Sequence, residues 1–249
     1  MRRRTALGAL AAALSVTACS APVPVTVAAG SPSAGGQVVV ALGDSVPAGT
    51  ACGCDPFPDL YARMLSPAAS VDNLARAGYT SDDVLGQIGD DGTRATLRAA
   101  TVVLIMAGAN DVAATFDDDG DDAAYQSTAA QVVANLRAAV TGIRQAHGSP
   151  VQIVVLGYWN VVKDGAVGLA MYGADGVAAA RNATRYCNRA LRQAAESAGA
   201  RYVTTTEAFT GAGRDQDPTG LLAPDGDHPN AQGHQAIADV VYAALPAGG

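Results

Sequence analysis

The sequence predicts an α/β protein in which helices cover both faces of a parallel sheet. Three short runs rich in β-branched residues, at 37–42, 101–106 and 151–156, are each followed within two residues by glycine. Short apolar runs of this kind are typical of strands that are buried on both faces. Stretches with helical periodicity separate them, and regular alternation of strands and helices favours a parallel sheet. Ligands bind such sheets beyond the carboxyl ends of the strands, so functional residues are expected there.

Five strands and five helices are predicted to alternate along the chain. The strands are expected at 37–42, 71–74, 101–106, 151–156 and 200–204, of which the second and fifth are the weaker candidates. The helices are expected at 59–65, 81–88, 123–145, 175–198 and 230–245. The last helix places apolar side chains from Ile237 to Leu245 on one face, as packing against a sheet requires.

Residues 1–18 are predicted to form a secretory signal peptide. Three arginines at 2–4 precede an apolar run at 6–16, which is the charge and length pattern of such a peptide. The run ends in Val16-Thr17-Ala18-Cys19, which resembles a bacterial lipobox and implies that Cys19 is acylated and begins the mature chain. Cleavage after Ala21 is the alternative, and both the general and the twin-arginine export routes remain open.

Residues 19–36 are predicted to be a flexible tether, because they are rich in proline, glycine, serine and alanine without an amphipathic period. A tether after a lipidated cysteine would hold the protein at the outer face of the membrane, so we expect an exported, envelope-located protein. Neither an internal repeat nor a second linker follows. The sequence therefore predicts one domain over residues 37–249, and we expect it to be a monomer.

The composition excludes several functional classes. The chain of 249 residues has 16 Lys and Arg against 23 Asp and Glu, a formal net charge of −7 that disfavours nucleic-acid binding. It contains neither a G-x-G-x-x-G nor a Walker A motif, so a nucleotide cofactor has no support. The G-x-S-x-G elbow of α/β-hydrolases is also missing.

Four short motifs are candidates for function, and three of them follow predicted strands, where functional residues are expected. Gly43-Asp44-Ser45 follows the first predicted strand, and Gly78 lies in the loop after the second. Gly108-Ala109-Asn110-Asp111 follows the third strand, and Asp225-Gly226-Asp227-His228 directly precedes the last helix. Each motif alone is weak, but the four in this order are specific.

With these motifs, residues 37–247 resemble the SGNH hydrolases, which are also called GDSL esterases and lipases. The resemblance implies a flavodoxin-like three-layer α/β/α sandwich with a five-stranded parallel sheet. It also implies a serine ester hydrolase with no cofactor. By the same resemblance, the oxyanion hole consists of the backbone N–H groups of Ser45 and Gly78 and the side-chain amide of Asn110.

Ester cleavage requires a nucleophile, a base that takes its proton and donors for the developing oxyanion. We expect Ser45 to be the nucleophile and His228 the base, since His147 lies at the end of a predicted surface helix. Asp225, three residues before His228, is expected to hold the imidazole in the correct tautomer. Asp227 is the alternative partner of His228.

Two acidic segments also allow a metal interpretation. Asp225, Asp227, His228 and His234 form one possible set of ligands, but their spacing matches no standard motif. The acidic run 117–122 fits an EF-hand loop only in a register that ends at Gln126, where an acidic residue is required. It is therefore predicted to be a solvated loop.

The remaining cysteines are Cys52, Cys54 and Cys187, and export permits a disulfide. A bond between Cys52 and Cys54 would close a strained ring. We therefore expect Cys187 to pair with Cys52 or Cys54. Cys54–Cys187 is the candidate pair, and the sequence does not choose between the two.

Substrate choice is expected to depend on the segment 157–173, which contains Tyr158, Trp159, Met171 and Tyr172. These side chains either line an acyl pocket or cover the edge of the sheet. The leading hypothesis is hydrolysis of small-molecule, lipid or sugar esters through an acyl-enzyme, with membrane contact only through the lipid. Acyl transfer to a sugar hydroxyl and a non-catalytic envelope binding protein are the alternatives.

Overall fold

A computed structural model describes residues 36–245 of the chain. The predicted signal peptide, Cys19 and nearly all of the predicted tether lie outside these residues. The described part contains a five-stranded parallel sheet with the strand order β2-β1-β3-β4-β5. The strands are β1 (Val38–Gly43), β2 (Ser70–Asn73), β3 (Val102–Met106), β4 (Gln152–Leu156) and β5 (Arg201–Val203). The predicted fold class is confirmed, and each strand ends within one residue of its predicted bounds.

Eight α-helices accompany the strands. They are α1 (Phe57–Leu65), α2 (Ser81–Ile88), α3 (Asp91–Leu97), α4 (Ala109–Asp117), α5 (Asp122–His147), α6 (Gly165–Ser197), α7 (Thr206–Thr210) and α8 (Ala231–Ala244). A short 3-10 helix, Pro218–Leu221, precedes α8. Helix α6 begins ten residues earlier than predicted and is interrupted at Gly173, whose backbone is not helical. No helix within the described residues is long and apolar enough to cross a membrane.

The sheet has helices on both faces. Helices α2 to α6 contact one another and form one layer, whereas α1, α7 and α8 form the other. The central strands carry most of the core, because every residue of β3 and residues 39–43 of β1 are buried. Polar side chains fix several helix starts: Thr80 forms a capping box with Asp83, and Asn230 accepts hydrogen bonds from the first turn of α8.

By the rule for parallel α/β sheets, the strand order predicts a crevice between β1 and β3. The chain leaves β1 toward β2 on one side and returns to β3 on the other, so the loops that follow these two strands diverge. This is the topological switch point at which parallel α/β sheets bind ligands. The loop after β1 begins at Asp44, and the loop after β3 leads into α4.

The expected Cys54–Cys187 disulfide is wrong. The structure joins Cys52 to Cys54, and Cys187 is a free, fully buried thiol in α6. The backbone has a φ of 60° at both Ala51 and Gly53, and this tight turn brings the two Cα atoms to 5.1 Å. That separation lies within the ordinary range for a disulfide. The left-handed backbone at Ala51 and Gly53 lets the two cysteines meet across a single intervening residue.

Candidate active site

Ser45 lies in the turn that follows β1. The strand ends at Gly43, where an added Cβ would overlap the carbonyl oxygen of Met106 on β3. The next N–H, that of Asp44, donates to the same oxygen at 3.0 Å. The close approach of the two strands therefore requires glycine at position 43, and it turns the chain so that Ser45 is partly exposed beyond the sheet.

The carboxylate of Asp44 is buried directly behind Ser45. It accepts hydrogen bonds from the Tyr158 hydroxyl at 2.5 Å and from the Val46 N–H at 3.0 Å. Burial raises the pKa of Asp44 from 3.8 to about 7, although these hydrogen bonds and the charge of His228 act in the opposite direction. Asp44 therefore ties the Ser45 turn to the segment after β4. Nothing in the spacing of the sequence indicated the contact with Tyr158.

Asp225 and His228 form a hydrogen-bonded pair before α8. The distance from His228 Nδ1 to Asp225 Oδ2 is 2.7 Å, and Asp225 Oδ1 also accepts from the backbone N–H groups of Asp227 and His228. Burial raises the pKa of Asp225, but these hydrogen bonds outweigh it and hold the pKa below its usual value. The ionised carboxylate assigns the proton to Nδ1, so Nε2 is left to accept one.

Asp227 does not take the role of Asp225 in the structure. Its carboxylate makes no hydrogen bond to His228 among the described residues, and burial raises its pKa. No hydrogen bond joins Ser45 to His228 within residues 36–245. Such contacts are often long without a substrate and tighten when it binds.

Gly78 lies on the loop after β2, and Asn110 lies in the first turn of α4, directly after β3. Gly78 has a φ of +82°, and an added Cβ would contact nothing, so glycine is needed there for its backbone conformation. The Nδ2 atom of Asn110 donates to the carbonyl oxygen of Tyr79, the residue after Gly78, at 2.8 Å. An amide nitrogen carries two hydrogens, so this bond orients the Asn110 side chain and leaves one N–H available.

A second set of hydrogen bonds holds the Gly78 loop against α4. Asp111 accepts from the backbone N–H of Ser81 at 2.8 Å and from its hydroxyl at 2.6 Å. The Ser81 hydroxyl, fully buried, accepts in turn from the side-chain amide of Asn135 on α5 at 3.0 Å. These residues connect α2, α4 and α5 behind the crevice, and the part played by Asn135 was not predicted.

The sequence profile of the GDSL-like Lipase/Acylhydrolase family matches residues 41–236. This span includes Ser45, Gly78, Asn110 and His228. The chain belongs to this family. No relative was found among curated proteins at the level of sequence.

The fold of this GDSL hydrolase is similar to solved structures of a lipase, an acetylxylan esterase and a phospholipase. The lipase Lip_vut3 from a goat rumen metagenome is 20% identical, with a TM-score of 0.67 over 84% of this chain and 97% of that one. The acetylxylan esterase Axe2 from Geobacillus stearothermophilus is 21% identical, with a TM-score of 0.61 over 85% and 94%. Phospholipase A1 from Streptomyces albidoflavus NA297 is 22% identical, with a TM-score of 0.59 over 84% and 99%. These likenesses support the fold.

The residues of the alternative metal set do not gather around one point in this GDSL hydrolase. His234 is fully buried in α8, and its Nδ1 accepts from the Phe57 N–H at 3.2 Å. Burial lowers the pKa of His234 to about 4, so it remains neutral. Within residues 36–245, three metal-binding side chains approach one another only at Cys52, Cys54 and His234, where the two sulfurs are already joined.

The aromatic segment after β4 divides into two parts. Tyr158 and Trp159 are buried, and Trp159 stacks on Phe209 with ring centroids 3.9 Å apart. In α6, Met171 is 59% exposed, whereas Tyr172 packs edge-on against Phe116. The four side chains therefore do not form one acyl pocket. Tyr158 and Trp159 are part of the core, and Tyr158 contacts the Ser45 turn through Asp44.

Proposed function

We propose that this GDSL hydrolase cleaves carboxylic esters through an acyl-enzyme, with Ser45 as the nucleophile. The observation that carries the proposal is the 2.7 Å hydrogen bond between His228 Nδ1 and Asp225 Oδ2. It leaves Nε2 unprotonated and able to take the hydroxyl proton of Ser45, which is a weak nucleophile without such a base. The family membership supports the same chemistry.

The reaction proceeds in two halves. Ser45 Oγ attacks the ester carbonyl carbon while its proton passes to His228 Nε2, and the carbonyl becomes an oxyanion. The tetrahedral intermediate then collapses, and the alcohol leaves with the proton from His228. In the second half, water attacks the acyl-enzyme, His228 takes a proton from that water, and the acid is released as Ser45 regains its proton.

Three N–H groups are proposed to stabilise the oxyanion: the backbone groups of Ser45 and Gly78 and the side-chain amide of Asn110. The hydrogen bond from Asn110 to the Tyr79 carbonyl supports this role, because it fixes the amide beside the Gly78 loop before substrate arrives. Donors fixed in advance do not need to reorganise during the reaction.

Replacement of the nucleophile tests the proposal. Ser45→Ala is expected to lower kcat on short p-nitrophenyl esters by roughly 10³-fold or more, since the attacking atom is lost. Ser149→Ala, an exposed serine outside the crevice, is the matched control and should retain full activity. A fluorophosphonate probe should label the wild-type protein and the control but not Ser45→Ala. Equal hydrolysis by both variants would refute Ser45 as the nucleophile, and failure of the wild type to react would favour a binding protein.

We further propose that the protein is exported and anchored by a lipid on Cys19. Support comes from the sequence alone: the three arginines, the apolar run and the lipobox-like Val16–Cys19. Labelled fatty acid should enter the wild-type protein expressed in a bacterial host and should be missing from Cys19→Ala. Equal labelling of both proteins would refute Cys19 as the attachment point, and labelling of neither would favour cleavage after Ala21.

A further inference from the structure

A groove with a volume of about 470 Å³ lies between α6, β5 and α7. Five arginines line it, and no acidic residue does: Arg181, Arg185, Arg189, Arg192 and Arg214. The whole chain has only 16 basic residues and a net charge of −7, so this concentration of positive charge runs against its composition. We refer to it as the arginine groove.

Four of these arginines occupy one side of a single helix. Arg181, Arg185 and Arg189 are spaced four residues apart along α6, and Arg192 follows three residues later. Side chains at this spacing lie next to one another, and like charges there destabilise a helix. In α6 these neighbouring positive charges all border the concave surface of the groove. An anion in the groove would relieve the repulsion.

The guanidinium groups of the groove retain free donors. Among residues 36–245, no carboxylate lies within 4.0 Å of Arg181, Arg185 or Arg189. Arg185 donates to the Asn182 side chain, and Arg189 lies over the Tyr186 ring at 4.7 Å. An arginine has five N–H donors, so these contacts leave most of them unused.

Each of the remaining two arginines has one exposed carboxylate nearby, and Arg192 also lies over the Tyr202 ring at 4.6 Å. Arg192 lies 3.9 Å from Glu196, and Arg214 lies 3.4 Å from Glu207. All four side chains are more than half exposed, and ion pairs of this kind contribute little. The aromatic part of the wall below the arginines is formed by Tyr202 and the buried Trp159, and the rest of the wall is polar and uncharged. Two hydroxyls of the wall, on Thr184 and Thr206, already donate to other groups, so the arginines are the main donors available to a ligand.

We propose that the arginine groove binds a ligand through a phosphoryl group, at a site separate from the ester-cleaving crevice. Arginine forks pair with planar or tetrahedral oxyanions through two parallel hydrogen bonds, and several forks around one cavity suit a multiply charged group. The volume is that of a small-molecule site. Ser45, Asp225 and His228 do not line the groove, so the bound group is not the ester under attack.

Calorimetric titration of the full chain with inorganic phosphate tests this site. Arg185→Gln combined with Arg189→Gln should weaken binding at least about tenfold, because charge-assisted hydrogen bonds are lost. The matched control combines Arg98→Gln with Arg137→Gln. It also removes two positive charges, but from exposed positions outside the groove. The control should bind phosphate as the wild type does. Hydrolysis of p-nitrophenyl acetate should be unchanged in both double variants, which verifies folding independently of the groove.

Sedimentation with vesicles distinguishes the source of the phosphoryl group. Vesicles of phosphatidylglycerol are compared with vesicles of phosphatidylcholine for the wild type and both double variants. Groove-dependent binding of phosphatidylglycerol indicates a lipid headgroup, and groove-dependent binding of inorganic phosphate alone indicates a soluble ligand. If neither probe binds in a groove-dependent manner, or if the control loses as much affinity as the groove variant, the proposal is wrong.

Discussion

At the scale of single residues, the contact between Asp225 and His228 determines which imidazole nitrogen can act as a base. Asparagine at position 225 offers Nδ1 an amide in place of a carboxylate, and the favoured tautomer is lost. Asp225→Asn is therefore expected to lower kcat on p-nitrophenyl esters by roughly 10³- to 10⁴-fold while KM changes little.

Asp227→Asn is the natural comparison for that experiment, because Asp227 is also partly buried and lies two residues away. Its carboxylate is not hydrogen-bonded to the imidazole, so kcat should fall far less than in Asp225→Asn. A loss of equal size in the two variants would show that charge near His228 matters in general, and would contradict a specific role for Asp225.

Asp44 makes the stability of the protein depend on pH. Its pKa is raised from 3.8 to about 7 by burial, so the folded protein keeps a proton that the unfolded chain releases. The free energy of unfolding should therefore fall as pH rises from about 4 to about 7, by an amount on the order of 4 kcal/mol for this group. Urea denaturation across this range measures the slope.

Asp44→Asn isolates that contribution, because an amide does not titrate and its oxygen can still accept from the Tyr158 hydroxyl. The variant should lose most of the decline between pH 4 and pH 7 that the wild type shows. The same decline in both proteins would mean that other groups cause it and that Asp44 is ionised in the folded state.

At the scale of elements, the close contact of β1 with β3 depends on Gly43. A Cβ there would overlap the Met106 carbonyl oxygen, and the φ of +140° disfavours any other residue. Gly43→Ala is expected to destabilise the protein by on the order of 3 kcal/mol or more, measured by urea denaturation. Gly86→Ala, within α2 where a Cβ meets nothing, should instead stabilise it by about 0.5–1 kcal/mol. Similar losses in the two variants would contradict the packing argument.

The strands were predictable because each is a short apolar run, and burial on both faces leaves little choice of residue type. Several helices were not. Helix α4 begins within the Gly108–Asp111 motif, where the sequence reads as a functional loop, and the first part of α6 is rich in glycine. In these two segments, helix formation depends on packing against the rest of the molecule, and the spacing of apolar residues along the sequence does not reveal that packing. The Cys52–Cys54 bond was missed for a similar reason, because backbone conformation decides it.

At the scale of the whole molecule, the candidate site assembles residues from four distant parts of the chain. The positions of Ser45, Gly78 and Asn110 were readable from the sequence, because they follow strands and parallel strands share one carboxyl edge. The contacts that align them were not, since Asp44 meets Tyr158 and Ser81 meets Asn135 across long separations along the chain. Such pairs carry no local pattern and become visible only when the sheet order is known.

The relative positions of Gly78 and Asn110 should therefore depend on a residue that does not itself touch the reacting atoms. Asp111 joins the start of α2, and with it the Gly78 loop, to α4, which carries Asn110. Asp111→Ala leaves the Ser81 N–H without its acceptor, so we expect kcat to fall roughly tenfold or more and the free energy of unfolding to fall by about 1–3 kcal/mol. Asp72→Ala, an exposed aspartate on the edge strand β2, should change neither. Loss of stability with an unchanged kcat would show that the network supports the fold without positioning Gly78 and Asn110.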